Sequence, residues 1–154
     1  MLKIVLIILP LALLALVLML VMQNSRIPKN LGVHEGRLAP LPFSPNAVSS
    51  QTEKIEQQVA PLPFIRDLQQ TKKALLLVID SYSGQQVQIV YETDTYVHCV
   101  FSTTNVGFKD DVEFFLDAEK KVVHFRSASR LGYSDMGLNR NRYDTLASMY
   151  LRRN

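Results

Sequence analysis

The groups best suited to do chemistry are concentrated in residues 126–140, near the C-terminus. This stretch combines arginines, serine hydroxyls and a glycine-containing turn, at a point where a strand is expected to give way to a helix. Guanidinium and hydroxyl groups beside a helix N-terminus suit an anion such as phosphate or carboxylate. A structural network of arginine–carboxylate pairs and serine caps, or a surface for a protein partner, explains the same residues. The candidate residues here are Arg126, Ser127, Arg130, Tyr133, Asp135, Asn139 and Arg140.

Carboxylates are concentrated just ahead of this stretch. Acids outnumber bases between residues 92 and 119, and the balance reverses from residue 120 onward, which indicates that the two blocks pair with each other. On a strand, Asp111 and Glu113 point to the same face, where two carboxylates would still need further ligands to hold a divalent cation. We therefore predict no metal site. The acids added to the candidate binding or structural residues are Asp110, Asp111 and Glu113.

A four-residue turn over residues 117–120 would join the two charged blocks in a hairpin. In that register apolar residues face one another on one side of the hairpin. On the other side Glu113 faces His124, and Asp111 faces Arg126. A slip of one residue would place charges opposite apolar residues. This register adds His124 to the candidates, and its simplest role is to stabilise the hairpin.

The sequence carries no motif of a known catalytic site. It has three histidines and one cysteine, but no nucleophile elbow, glycine–lysine phosphate loop or paired-histidine metal motif. A single cysteine excludes an internal disulfide, and Cys99 lies in an apolar run typical of a small buried residue. We predict no catalytic residue and no cofactor. A hydrolase or other small enzyme that uses the Asp/Glu/Arg cluster remains an alternative.

A second polar motif, Ser-Pro-Asn-Ala-Val-Ser-Ser, occupies residues 44–50. Its composition predicts an ordered turn in which side chains hydrogen-bond to the backbone. Asn46 and Ser49 are the candidate residues of this turn.

The polar motifs together resemble the family catalogued as domain of unknown function 1499. The residues that carry the resemblance are 44–50, 107–114, 123–135 and 139–140, and it extends over residues 41–151. The resemblance implies no established reaction. It implies an anchored or exported protein, since bacterial members are often of that kind.

The chain departs from the family pattern at one place. In the family, two cysteines often flank the serine–proline–asparagine turn, whereas Leu41 and Ala47 stand at those positions here. A disulfide or metal role for the turn is therefore ruled out in this chain. Its role must depend on Ser44, Asn46 and Ser49.

Periodicity and turn residues predict an α+β domain. Helices are expected at both ends, with Asn139 as the N-cap of the second. Short β-rich runs separated by turn residues predict an antiparallel four-stranded meander, covered on one face by the two helices. The predicted helices span residues 64–81 and 139–152, and the predicted strands span residues 86–92, 96–103, 110–117 and 121–127.

The N-terminus predicts one transmembrane helix ahead of this domain. Residues 4–22 are apolar without a charge, and a helix of that length rises roughly 28 Å, close to the thickness of the hydrocarbon core. No small-residue cleavage site follows, so we expect an uncleaved signal anchor rather than a removed signal peptide. The predicted division is a transmembrane signal anchor at 1–22, a proline-containing linker at 23–43 and a single α+β domain at 44–154.

These features predict a single-pass protein of the bacterial inner membrane, with the domain in the periplasm. A net charge of +3 gives no argument for binding nucleic acid. We expect a non-enzymatic envelope domain that binds a protein partner or an anionic ligand, with a membrane-headgroup binder as an alternative. A partner-binding domain would expose an apolar patch, a headgroup binder would present unpaired arginines, and an enzyme would hold perturbed titratable groups in a pocket.

Overall fold

A six-stranded antiparallel sheet with two helices on one face forms the centre of the computed structural model, which describes residues 2–104 and 106–153, with the backbone alone for residues 2–7. A short 3-10 helix, Ile55–Gln57, precedes the fourth strand. The elements in chain order are α1 (Leu2–Ser25), β1 (Val33–His34), β2 (Arg37–Leu38), β3 (Ala47–Ser49), β4 (Leu62–Pro63), α2 (Leu68–Asp80), β5 (Gln86–Glu92), β6 (Tyr96–Ser102), β7 (Lys109–Asp117), β8 (Val122–Ser129) and α3 (Leu138–Leu151).

The predicted meander is confirmed as β5 to β8, each strand pairing antiparallel with the next. The sheet is larger than predicted, because β3 and β4 both pair with the outer edge of β8. Residues 44–50, expected to form a turn, thus contribute a strand. Strands of two or three residues are too short to show an alternating pattern, so the sequence predicts four strands where six are present.

The hydrophobic core lies between the sheet and the two helices. Side chains of α2 and α3, among them Val78, Leu146 and Tyr150, pack against Phe114 and Phe125 on the sheet. The α2 helix begins at Leu68, after the predicted start. Its N-cap is Asp67, whose side chain accepts a hydrogen bond of 2.8 Å from the Gln70 backbone N–H. The preceding residue, Arg66, has a positive φ of 60°, which excludes a continuous helix from residue 64.

The predicted register of the β7–β8 hairpin is wrong by two residues. Glu113 lies opposite Arg126 rather than His124. The cause is Asp117, which stays in the strand and accepts hydrogen bonds from the backbone N–H groups of Glu119 and Lys120 in the turn. A shift of two residues keeps every side chain on its predicted face.

The second face of the sheet is also covered, by residues of the predicted linker. The small hairpin of β1 and β2 lies over β7 and β8. The backbone N–H of Gly32 donates to the Glu113 carboxylate, and Arg126 donates to the carbonyl of Pro40. Residues of the predicted linker therefore bury the polar face of the sheet.

The N-terminal helix α1 stands apart from this core. It has 24 residues, with Pro10 inside it, and is therefore about 36 Å long. Among the described residues it is the one helix long and apolar enough to cross a membrane, and the side chains of the apolar window are not buried by the rest of the protein.

Candidate functional site

The candidate residues fall into two buried polar networks, one on each face of the sheet. Successive residues of a strand point to opposite faces, so the adjacent acids Asp110 and Asp111 belong to different networks. Asp110 points toward α3, whereas Asp111 points toward the β1–β2 hairpin together with Glu113. Burial of these charges is tolerable only if each has a partner.

Asp111 is the centre of the network on the hairpin side. The Arg130 guanidinium donates two hydrogen bonds to its carboxylate, Nε to Oδ2 at 2.8 Å and Nη2 to Oδ1 at 2.7 Å. The ring Nε2 of His98 lies 2.9 Å from the same Oδ1. Burial alone would raise the pKa of Asp111, but hydrogen bonds and charge from Arg130 and His98 outweigh it and hold the pKa below its usual value.

Glu113 forms the second centre on that face. It pairs with Arg126 at 3.0 Å and accepts hydrogen bonds from the hydroxyl of Tyr96 at 2.7 Å and from the backbone N–H of Gly32 at 2.8 Å. Burial, with the neighbouring Glu113 charge, raises the pKa of Tyr96 far above its usual value. The Tyr96 hydroxyl therefore stays a hydrogen-bond donor throughout the normal pH range.

Asn139 organises the network on the helix side. Its side-chain NH₂ donates to the Asn46 carbonyl, the Ser129 hydroxyl and the Asp135 carboxylate at 2.8–3.0 Å. Its oxygen accepts from the Ser127 hydroxyl. The prediction that Asn139 caps α3 is wrong, because Gly137 occupies the N-cap position. Asn139 lies in the first turn and uses its side chain to join β3, β8 and α3.

The most deeply buried charge of this network, Arg142, was not among the predicted residues. Its guanidinium forms an ion pair with Asp110, donates to Gln85, and lies over the ring of Phe101 at 4.9 Å. Spacing could have revealed it, since Asn139, Arg142, Leu146 and Tyr150 form one helical stripe. An arginine on the buried stripe of a helix requires a carboxylate opposite it.

His124 lies outside both networks. Its Nδ1 is 3.2 Å from the Ser50 hydroxyl, its Nε2 lies 3.7 Å from the Asp117 carboxylate, and its ring stacks on Phe115. Burial lowers the pKa of His124, and the attraction of Asp117 offsets this only in part. The ring is therefore neutral in the folded protein near neutral pH.

Most of the remaining candidate side chains form hydrogen bonds of their own. Asn46 donates to the Gly132 carbonyl at 2.6 Å, and Ser49 accepts from the backbone N–H of Gln51. Arg140 donates to two backbone carbonyls beside the 3-10 helix, those of Glu56 and Gln58. Tyr133, by contrast, is exposed.

The end of α1 is fastened to the domain by four hydrogen bonds, which we call the clasp. The side chain of Gln23 donates to the Arg130 carbonyl, and Arg130 Nη1 donates to the Asn24 carbonyl. The side-chain amide of Asn24 donates to the Gly107 carbonyl and accepts from the Lys109 backbone N–H. Arg130 therefore joins the Asp111 network to the last turn of α1. Sequence reasoning missed Gln23 and Asn24, which it placed in the linker.

This arrangement engages the candidate arginines internally. Arg126 and Arg130 pair with carboxylates, and Arg140 binds carbonyls, so each guanidinium already has acceptors within the protein. Within residues 2–104 and 106–153, no three histidine, cysteine or acidic side chains are grouped so as to hold a metal ion. The geometry is that of two buried polar networks, of which the one around Asp111 is joined to the clasp through Arg130.

Comparison with known proteins places the chain in a family. The model of the family described as "Protein of unknown function (DUF1499)" matches residues 37–149 of the 154-residue chain. No curated protein matches the chain, and no solved structure matches it. The matched segment begins at β2 and extends into α3, and thus includes both buried networks. The chain is therefore a member of the DUF1499 family.

Proposed function

We propose that this chain is a single-pass protein of the bacterial inner membrane whose domain is a non-enzymatic binding module facing the periplasm. The observation that carries the proposal is the clasp. Arg130 bonds to the last turn of the apolar helix and at the same time to the buried Asp111. The helix is thus held as part of the folded domain, which supports an anchor that is retained.

The clasp favours an anchor over a cleaved signal sequence. Cleavage on the C-terminal side of α1 would remove Gln23 and Asn24, and with them all four hydrogen bonds. The Gly107 carbonyl and the Lys109 backbone N–H would lose their partner, and Arg130 would lose one of its acceptors. Unsatisfied polar groups of this kind are costly where water cannot replace the lost partner. A segment that is discarded has no need of such contacts.

The surface next to the clasp supports a binding role. Val106, Phe108, Tyr133 and Met136 lie on the two loops beside the end of α1, and all four side chains are exposed, Met136 at 96%. Several large apolar side chains on adjacent loops are typical of an interaction surface. Because the arginines are engaged internally, this apolar surface supports binding of an apolar partner more strongly than binding of an anion.

The buried carboxylates support a non-enzymatic role. Asp110, Asp111 and Glu113 are bound to Arg142, Arg130 and Arg126 respectively, inside the protein. A catalytic carboxylate must be able to reach a substrate. These three instead stabilise the fold by neutralising buried arginines.

The periplasmic orientation rests on Lys3, the basic residue just ahead of the apolar run. Basic residues also follow the helix, at Arg26, Lys29 and Arg37, so the distribution of positive charge does not decide the orientation. A basic residue directly ahead of an apolar run is typical of a signal anchor, which exports the segment that follows it.

A reporter fused after Asn154 tests the proposal. Alkaline phosphatase is active only when exported, whereas green fluorescent protein fluoresces when left in the cytoplasm. We expect the phosphatase fusion to be active and the fluorescent-protein fusion to be dark. Both fusions should stay in the membrane fraction after washing at high pH. A fluorescent fusion would contradict the orientation, and a fusion that washes off the membrane would contradict the anchor.

A further inference from the structure

A cavity of about 410 Å³ lies between the end of α1 and the two exposed loops. Its volume is within the range of small-molecule sites. Its apolar wall is formed by Leu20 of α1, Phe108 of the first loop, Leu131 and Met136 of the second, and Leu138 at the start of α3. It is therefore bounded on one side by the apolar helix and on the other by the domain.

The polar groups that line the cavity are already engaged. Asp110 is paired with Arg142, and Asp135 accepts hydrogen bonds from Asn139. The Thr103 hydroxyl accepts from the Phe108 backbone N–H. These groups have little capacity left for a polar ligand, so the contact that the cavity offers is apolar. Such a wall favours the binding of a hydrocarbon group.

The position of Leu20 shows where along the axis of α1 the cavity opens. Leu20 is one turn before Asn24 and on the same side of the helix, which places it about 6 Å further along the axis toward the N-terminus. Asn24 is bound to the loop that carries Phe108. The apolar run of α1 continues past Leu20 to Met22, so the cavity opens beside a part of the helix that has no polar residue.

We propose that this cavity takes one acyl chain of a membrane phospholipid, which enters sideways from the bilayer beside α1. The inference rests on the proposed anchoring of α1, because only an inserted helix brings Leu20 to the level of the hydrocarbon. Acyl chains are then the apolar molecules nearest to the opening. The exposed Phe108 and Met136 stand at the entrance and lie against the lipid.

Photo-labelling of the full chain tests this site. The protein is reconstituted in phosphatidylethanolamine–phosphatidylglycerol vesicles containing a phospholipid with a diazirine on its acyl chain, illuminated, digested and mapped by mass spectrometry. We expect label on α1 and on Phe108, Leu131 and Leu138, and none on the turn after β7. Label on α1 alone would overturn the acyl-chain site and leave the anchoring intact. Absence of label on α1 would contradict the anchoring itself.

A variant with a filled cavity distinguishes an acyl chain bound inside the cavity from lipid that only touches the surface of the protein. Leu138→Trp places a large side chain in the cavity, and the label at Leu131 should then be lost while the label on α1 remains. Leu131→Trp, read at Leu138, gives the same test if the first variant does not fold. Leu77→Trp, on the exposed side of α2, is the matched control and should leave every label unchanged. Unchanged label at Leu131 in a folded Leu138→Trp protein would overturn the proposal.

Discussion

At the scale of single residues, Arg130 joins the buried Asp111 to the end of α1. Its side chain is 3% exposed, binds both oxygens of Asp111, and donates to the end of α1. Removing one partner of a buried ion pair leaves the other charge uncompensated, at a cost of about 3–5 kcal/mol. We expect Arg130→Ala to lower the free energy of unfolding by about that amount, measured by urea denaturation of the full chain in detergent.

Arg152→Ala is the matched control for this substitution. Arg152 follows the last turn of α3 and is exposed, so its removal should change the free energy of unfolding by less than about 0.5 kcal/mol. If Arg130→Ala denatures at the same urea concentration as Arg152→Ala, Arg130 has no structural role and is free to serve a ligand.

His124 gives the protein a pH-dependent stability. Burial keeps the pKa of His124 below its usual value in the folded state, whereas the unfolded chain takes up the proton at about pH 6.5. The unfolded state then binds more protons, so stability should fall as the pH drops below about 6.5 and continue to fall until the folded ring is protonated. We expect His124→Gln to remove this decline, as measured by the melting temperature across that range.

The exposed His34 supplies the control for the pH experiment. His34→Gln should keep the pH dependence of the wild-type protein. A wild-type melting temperature that is flat below about pH 6.5, or a His124→Gln protein with the wild-type decline, would contradict the assignment.

The sequence identified many of the polar residues but not their partners. A cluster of acids ahead of a cluster of bases predicts pairing, and Asp111 and Glu113 do pair with arginines. Which arginine pairs with each acid depends on the hairpin register and on helix packing. Arg142 was missed for another reason, since an arginine in a helix is usually exposed to solvent. Its place on the buried stripe of α3 could have been read from the spacing, but its pairing with Asp110 depends on how α3 packs on the sheet, which no local pattern encodes.

At the scale of elements, the turn between β7 and β8 contains a strained residue. Lys121 has a φ of 52° in the left-handed region, which costs a residue with a Cβ about 1 kcal/mol. Its side chain is exposed, and its carbonyl, which accepts from the Phe64 N–H, is unaffected by substitution. After the entropy cost of glycine, we expect Lys121→Gly to raise the free energy of unfolding by about 0.5 kcal/mol.

Lys121→Val is the opposite test at the same position. A β-branched residue is poorly tolerated at positive φ, so this variant should be less stable than the wild-type protein. If urea denaturation shows the valine variant to be more stable than the glycine variant, residue 121 does not have a positive φ.

The strands β5 to β8 could be predicted to within about two residues, because each is a run of seven or more residues of high β-propensity with turn residues on either side. The hairpin register could not, since a slip of two residues leaves the hydrophobic pattern unchanged. The deciding interaction is the cap made by Asp117, and the sequence permits this residue to be either the last of the strand or the first of the turn. The short strands β3 and β4 form only because the edge of β8 is available to them.

At the scale of the whole molecule, both faces of the sheet are buried. The helices cover one face, as predicted, and residues 32–40, which belong to the predicted linker, cover the other. That second cover is what turns a charged sheet surface into a buried network. On the same face, Arg130 donates to the end of α1, so α1 and the domain form one folded unit.

The central claim is that α1 stays attached to the domain it is clasped to. The most direct test is the intact mass of the mature protein purified from the membrane fraction of cells. We predict a single species whose mass includes α1. A mature chain that begins after Ser25 would contradict the claim, since Gln23, Asn24 and every bond of the clasp would then be absent from the working protein.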